Sequence, residues 1–341
     1  RHRESPKPSL IGNCQGGWAV MMLAAARPDM TGPLVINGAP MSYWAGNDGD
    51  NPMRYSGGLL GGAWVSLLAS DLGAGKFDGA HLVSNFETLN PANAVWDKYY
   101  HLYDDVDDEA PRFLEFERWW GGFYLLNEEE IRWIVNNLFV GNKLSQGEAR
   151  LGPGRYFDLK SIKQPIIVFA SMGDNITPPQ QAFNWIADLY SSTDEIKANG
   201  QTIVGLIHED VGHLGIFVSG KVAKKEHAQI FEVLKYIQTL PPGLYGMEIH
   251  EIQHADGEVT YDVTLHERSL EALKKLQKYD RVDEKPFEAV AALSELTERA
   301  YELLVRPAVR DTVPEWLARM LRELHPLRAQ RWMLSDRNPF L

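Results

Sequence analysis

The sequence predicts an α/β fold with a mostly parallel central sheet, and three observations predict it. Short apolar runs bounded by Gly and Pro recur at Leu34-Val35-Ile36, Pro165–Ser171 and Gln201–Ile207, the composition of strands buried on both faces. Helix-like stretches stand between such runs, so strand, helix, strand repeats as right-handed βαβ crossovers. Residues able to do chemistry stand just past the ends of strands, where open parallel sheets place their sites.

The first strand, Ser9-Leu10-Ile11, runs into Gly12-Asn13-Cys14-Gln15-Gly16-Gly17, and a helix-like run, Trp18–Ala26, leaves it. Strand, sharp turn with a thiol at its apex, and helix form the layout of a nucleophile elbow. Gly12 and Gly16, two residues before and after Cys14, let a strained turn form without a Cβ clash. The thiol stands at a helix N-terminus, where unpaired N–H groups and the dipole favour thiolate. The N–H of Gln15 points at the same spot as an oxyanion donor. The plain alternative is a small buried cysteine in a tight turn. Arg27-Pro28 closes the helix, and Pro33–Pro40 supplies the next strand.

From about Met41 to Tyr156 the rhythm lapses into a stretch rich in Gly, Trp, Tyr and Asp, with loop punctuation at Tyr55–Gly58 and Leu60–Gly62. Helices are expected at about 62–72, 91–103 and 110–120. The clearest covers Glu128–Phe139, capped by Asn127 with Glu130 three residues on, and ended by Gly141. An insertion after the strand that follows the elbow is where such folds carry a cap over the site. Trp119, Trp120, Phe123 and Tyr124 read as the cap's own core in preference to an acyl pocket. The acidic run Asp104–Glu109 lacks the spaced ligands of a calcium loop and reads as a solvated face.

The α/β rhythm returns at Pro165–Ser171, followed by Thr177 as N-cap and Pro178 as first residue of a helix reaching Tyr190. Gln201–Ile207 leads into His208–Phe217, and a helix over 221–240 ends at Pro241-Pro242-Gly243. Val259, Tyr261, Val263 and Leu265 alternate with polar residues as an amphipathic strand. Asp256-Gly257 marks a hairpin turn and Met247–Gln253 the partner strand. Helices follow at roughly 269–278, 288–304 and 314–324. The expected divisions are therefore 1–40 and 158–243 for the core, 41–157 for the cap, and 244–341 for a C-terminal hairpin-and-helix module.

Composition narrows the function. With 46 acidic against 34 basic residues the net charge is −12, which disfavours nucleic acid and anionic membranes as partners. A single cysteine excludes an intrachain disulfide framework and thiolate-rich metal centres, and fits a reducing, cytoplasmic compartment. No apolar run is long enough to span a membrane, and no signal peptide is visible. Neither a metal nor a cofactor is expected.

Three residues at strand ends complete the reading. Cys14 follows one strand, Asp174 the second-last and His213 the last, and nucleophile, acid, histidine is the chain order of an α/β-hydrolase. A thiol needs a base within hydrogen-bond reach, and the base needs a carboxylate to fix its tautomer. His208 competes for the base at the strand end itself; His213, in the following loop between glycines, is preferred. A zinc HExxH reading fails, because His208 and His213 are five apart with Gly212 between them. The fold is thus read as an α/β-hydrolase-type core with a helical cap insertion and a C-terminal extension. In that fold several strands precede the elbow, so the N-terminal half of the sheet and one oxyanion donor are expected to be missing from this sequence.

The Gly12–Gly17 box resembles the G-x-C-x-G-G box of poly(3-hydroxyalkanoate) synthases, and Val168–Pro178 and Gly212–Ile216 resemble that family's Asp and His segments. The same stretches are similar to a group of uncharacterised bacterial proteins likened to those synthases. The likeness covers about residues 5–240; the tail beyond 245 lies outside it, and Tyr99–Gly141 departs from the synthase pattern. The resemblance implies a capped α/β-hydrolase, commonly a homodimer, for which the C-terminal module is a candidate contact. It implies a 3-hydroxyacyl-coenzyme A substrate, Cys14 as acyl acceptor and His213 as base. Asp174 would orient His213 or help activate the incoming hydroxyl. The expected function is a cysteine acyltransferase acting on acyl thioesters. The alternatives are an esterase, thioesterase or depolymerase using the same three residues, or a non-catalytic scaffold.

Overall fold

The computed structural model describes residues 7–46, 62–254, 257–276, 281–333, 338 and 339. The loop punctuation expected at 55–61 and Asp256 of the expected hairpin turn lie outside them. The chain divides into two compact units, one of residues 1–54 and 137–288, the other of 55–136 and 289–341.

The strands in chain order are β1 Leu10–Asn13, β2 Leu34–Asn37, β3 Lys76–Asp78, β4 Leu125–Asn127 and β5 Arg150–Gly152. They continue with β6 Arg155–Tyr156, β7 Ile166–Ser171, β8 Thr202–His208, β9 Gly243–Gln253 and β10 Val259–Glu267. In the first unit a six-stranded sheet runs β1-β2-β7-β8-β9-β10. It is parallel as far as β9, and β10 pairs back antiparallel. One row of the register crosses five strands, Gly12–Ile36–Val168–Gly205–Gly246. Every residue of β2 and β7 is buried, the burial that an unbroken apolar strand demands when helices cover both faces. On one face Val35, Ile167, Phe169, Val204 and Leu206 pack with Ile216, Ile230, Val233 and Ile237 from the segments that follow β8.

Two features depart from the sequence reading. The hairpin is not separate from the core: β9 begins at Gly243, four residues earlier than expected, and pairs with β8 from Thr202↔Gly243 to Leu206↔Met247. Pro241 and Pro242 stop the preceding segment, and Leu244 and Met247 are buried, which seats the strand in the sheet. The strand thus runs through the boundary expected at residue 244. The helix after β7 spans Pro179–Leu189 with Pro178 as its N-cap, one residue later than expected. Thr177 does not cap it: its N–H is held by Asp174 Oδ1 at 2.8 Å, and its buried hydroxyl has no hydrogen-bond partner.

In the second unit the Glu128–Ile134 helix carries the expected capping box. Asn127 Oδ1 accepts from Glu130 N at 2.8 Å, and Glu130 Oε2 accepts from Asn127 N at 3.0 Å. Asp107, Asp108 and Glu109 of the acidic run stand in the first turn of the Val106–Trp120 helix, where they complement the helix dipole. The aromatic group packs within this unit: Trp120 stacks on Phe116 at 5.8 Å and donates to Glu87 at 2.6 Å, and Arg328 and Arg331 lie over Phe123. Trp119 and Tyr124 are exposed. Two C-terminal helices that the sequence reading missed, Arg306–Thr312 and Pro326–Met333, deliver Arg306, Arg310 and Arg328 to the buried carboxylates Asp71 and Asp78.

Candidate active site

The site is built at the carboxyl end of the sheet in the first unit. β1 ends at Asn13 and the Gln15–Ala26 helix begins one residue after Cys14, so Cys14 alone makes the turn, with φ 50° and ψ −125°. A non-glycine residue at that φ is strained, and the strain presents its side chain outward from the turn. Cys14 N donates to Asn37 O at 2.9 Å, tying the turn to the end of β2. Asn37 Nδ2 donates to Asn13 Oδ1 at 2.9 Å and adds a second tie.

The flanking glycines serve close approach, while Cys14 itself carries the strain. A Cβ on Gly12 would come within 2.4 Å of Gly16 O, and one on Gly17 within 2.2 Å of Ala39 Cβ; one on Gly16 would meet nothing. Gly12 lets the helix start cross over the strand, and Gly17 lets the helix sit against the segment after β2. A Cβ on Gly16 would face open space, so close approach does not require glycine there. As the first residue of the helix, Gln15 has no acceptor within it for its N–H, which remains available beside Cys14.

Asp174 and His213 come together. β7 ends at Ser171 and β8 at His208, and the loops after them approach so closely that a Cβ on Gly173 would lie 2.2 Å from Asp210 O. Asp174 is fully buried. Its Oδ1 accepts from Ile176 N at 2.9 Å and Thr177 N at 2.8 Å, and its Oδ2 accepts from His213 Nδ1 at 2.7 Å. A carboxylate so used is locked in orientation, and it places the proton on Nδ1, leaving Nε2 as the free ring nitrogen. His213 is the first residue of the His213–Val218 helix and meets Phe217 edge-on at 5.0 Å. Gly38, with φ 52°, leaves room for the imidazole: a Cβ there would sit 3.5 Å from His213 Cε1.

His213 also lies within hydrogen-bonding reach of the half-buried Cys14 thiol. Burial alone would lower the imidazole pKa. The hydrogen bonds to Asp174 and Cys14, with the charges of both, outweigh it and push the group up to about 10. His213 therefore keeps its proton through neutral pH, and the assembly is a carboxylate, an imidazolium and a sulfur in sequence. Such an arrangement can deliver a thiolate to an electrophilic carbonyl and return a proton to a leaving group.

His208, the competing histidine, is spent elsewhere. Its Nδ1 accepts from Asp210 N and Val211 N, both at 3.2 Å, and so shapes the loop that carries His213. Among the described residues no group of three His, Cys, Asp or Glu is placed to hold a metal ion, and no helix is long and apolar enough to cross a membrane.

The sequence reading missed Tyr43 and Trp18. Tyr43 is buried in the segment after β2, and burial first and the charge of Cys14 second push its pKa well up. The Trp18 indole, one turn along the helix from Cys14, acts on the Tyr43 hydroxyl in the opposite sense and lowers its pKa. Tyr43 stands six residues beyond the end of β2, with no motif around it to mark it.

The profile of the family described as "Protein of unknown function (DUF3141)" matches residues 1–341, the whole of the sequence. This chain belongs to the DUF3141 family. The DUF3141 chain is 49% identical over 349 residues to the "Uncharacterized protein in ackA 5'region" of Rhizobium meliloti, matching 100% of this chain and 47% of that protein. It is 30% identical over 226 residues to the "Poly(3-hydroxyalkanoate) polymerase subunit PhaC" of Allochromatium vinosum, covering 64% of this chain and 57% of that subunit. The chain thus spans about half the length of the curated relatives it matches. Among solved structures, a monoacylglycerol lipase of Paleococcus ferrophilus overlaps it with a TM-score of 0.34 at 16% identity, over 67% of this chain and 68% of the lipase. The DUF3141 chain is distantly homologous to the PhaC subunits, and its core is the mostly parallel α/β sheet of the first unit.

Proposed function

We propose that this DUF3141 chain is a cysteine acyltransferase acting on acyl thioesters. The observation that carries the reading is the line Asp174–His213–Cys14, with Cys14 held at positive φ on the turn between strand and helix. In the first half-reaction Cys14 Sγ attacks the carbonyl carbon, a C–S bond forms, and the carbonyl π pair moves onto oxygen. Collapse of that intermediate breaks the substrate's C–S bond, and the departing thiolate takes the proton of the His213 imidazolium. In the second, neutral His213 removes the proton of an incoming hydroxyl, which attacks the acyl-cysteine and restores the thiolate. Gln15 N–H donates to the oxyanion in both. The distant homology to PhaC subunits supports transfer to a hydroxyl in preference to hydrolysis.

The acceptor tests the reading. With a fixed acyl thioester and rising concentrations of a small alcohol, ester should replace free acid while early thiol release stays constant, because both products arise from one acyl-enzyme. Free acid as sole product at every alcohol concentration would overturn transfer in favour of a hydrolase. No thiol release at all would favour a non-catalytic scaffold.

A further inference from the structure

We propose that Glu226 and His208 are positioning residues for His213: Glu226 fixes the ring of His208, and His208 holds the loop that sets His213 against Asp174 and Cys14. The proposal rests on the reading of His213 as the base for Cys14 and extends it to the groups that keep that base in place.

His208 closes β8, and its Nδ1 accepts from both Asp210 N and Val211 N at 3.2 Å. Those two residues are the ones packed against the site. A Cβ on Gly173 would lie 2.2 Å from Asp210 O, so Asp210 abuts the loop that carries Asp174. A Cβ on Gly215 would lie 2.6 Å from Val211 Cγ2, so Val211 abuts the helix that starts at His213. Releasing either N–H from the ring therefore shifts carboxylate and imidazole relative to each other, in a pair that meets at 2.7 Å. His208 O adds a further hold by accepting from Met172 N at 2.9 Å, just before Gly173.

A ring nitrogen that accepts two N–H bonds carries no proton, which leaves the His208 proton on Nε2. Nε2 faces Glu226 Oε1 at 3.6 Å, and the carboxylate favours the proton there. Two further charges face this pair. The exposed Asp210 carboxylate comes within 3.3 Å of Nδ1 and favours the opposite tautomer, and Lys225 Nζ stands 3.9 Å from Glu226 Oε1. Asp210 is solvated whereas Glu226 is buried, so the charge of Glu226 is screened less and prevails. Among the described residues the buried Oε2 of Glu226 has no hydrogen-bond partner, an unfavourable state for a side chain kept for packing alone. The next residue, His227, donates from Nε2 to Ile216 O at 2.7 Å. The one turn Ala223–His227 thus braces both the loop before His213 and the end of its helix.

A double-mutant cycle tests this, read by single-turnover acylation of Cys14 with an aryl thioester. His208→Leu removes the acceptor and should slow acylation about 10²-fold, as a displaced base does. His208→Asn should stay within about threefold of wild type, because an Asn Oδ1 accepts readily from N–H groups just ahead in the chain. Glu226→Leu should cost about tenfold with His208 in place and nothing measurable in the His208→Asn background, where no tautomer is left to fix. Iodoacetamide alkylation reads the base itself. The ratio of its rate at pH 7 to that at pH 10, where a thiol ionises unaided, should fall in His208→Leu and hold in His208→Asn. His208→Asn as slow as His208→Leu, His208→Leu at wild-type speed, or an equal cost of Glu226→Leu in both backgrounds would each overturn the proposal. Should His208→Leu not fold, the Glu226→Leu comparison decides alone. If His213→Ala leaves the alkylation ratio at its wild-type value, the Cys14–His213 reading itself has failed, an outcome read separately from the cycle.

Discussion

Asp174→Asn is expected to reduce acyl transfer about 10³–10⁴-fold while leaving the protein folded. The amide oxygen can keep the bonds from Ile176 N and Thr177 N, because Oδ1 accepts both. The amide NH2 then faces His213 Nδ1, which must become an acceptor, so the ring proton moves to Nε2 and points at the thiol. That tautomer carries no charge to hold a thiolate and has no free Nε2 lone pair to accept a proton from an acceptor hydroxyl. The pH dependence of stability should change with it. The folded-state pKa of His213 is raised from 6.5 to about 10, so its contribution is fully present below pH 6.5 and is lost as pH rises toward 10. Asp174 is the first of the causes that raise it. Denaturant midpoints should therefore separate wild type from Asp174→Asn most at pH 6 and least near pH 10. Unchanged turnover in Asp174→Asn, or a stability difference that grows with pH, would contradict the assignment.

Asp71→Ala is expected to destabilise the second unit by about 3–5 kcal/mol. Asp71 is fully buried in the Ala63–Leu72 helix and accepts from Tyr301 Oη at 2.9 Å, Arg306 Nε at 3.1 Å and Arg310 Nε at 2.8 Å. Arg306 is itself largely buried and also donates to Glu128 at 2.6 Å. Removing the shared carboxylate leaves two guanidinium groups and a phenol without their central acceptor, a buried-charge cost that surface pairs never show. Glu315→Ala, which deletes the exposed partner of Lys76 and Arg322, should cost far less and serves as the control. Thermal or denaturant unfolding checks the contrast; similar losses for the two variants would contradict it.

Cys14, Asp174 and His213 were readable because each follows a short apolar run closely enough that strand ends alone place it. Their meeting was readable because parallel strands deliver all their ends to one edge. Other parts were not legible. β9 joins the sheet through Leu244 and Met247, but the Pro241-Pro242 before it and Gly243 at its start read as a domain boundary, because local breakers mark the end of one element without naming the partner of the next. The Arg306–Thr312 helix follows Val305 with Pro307 in its first turn, too short for a periodic signal, and is held by ion pairs to residues some 180 to 240 positions away. The division of labour among Gly12, Gly16 and Gly17 depends on which backbone comes near, a fact of packing.

The central claim is that an acyl group resides on one sulfur. Brief incubation with an acyl thioester, acid quench and peptide mass mapping measures this directly. The account predicts one acyl increment on the peptide containing Cys14, absent in Cys14→Ala and accumulating in the absence of an acceptor alcohol. Turnover that continues with no increment on that peptide, or an acyl group found on another residue, would contradict it.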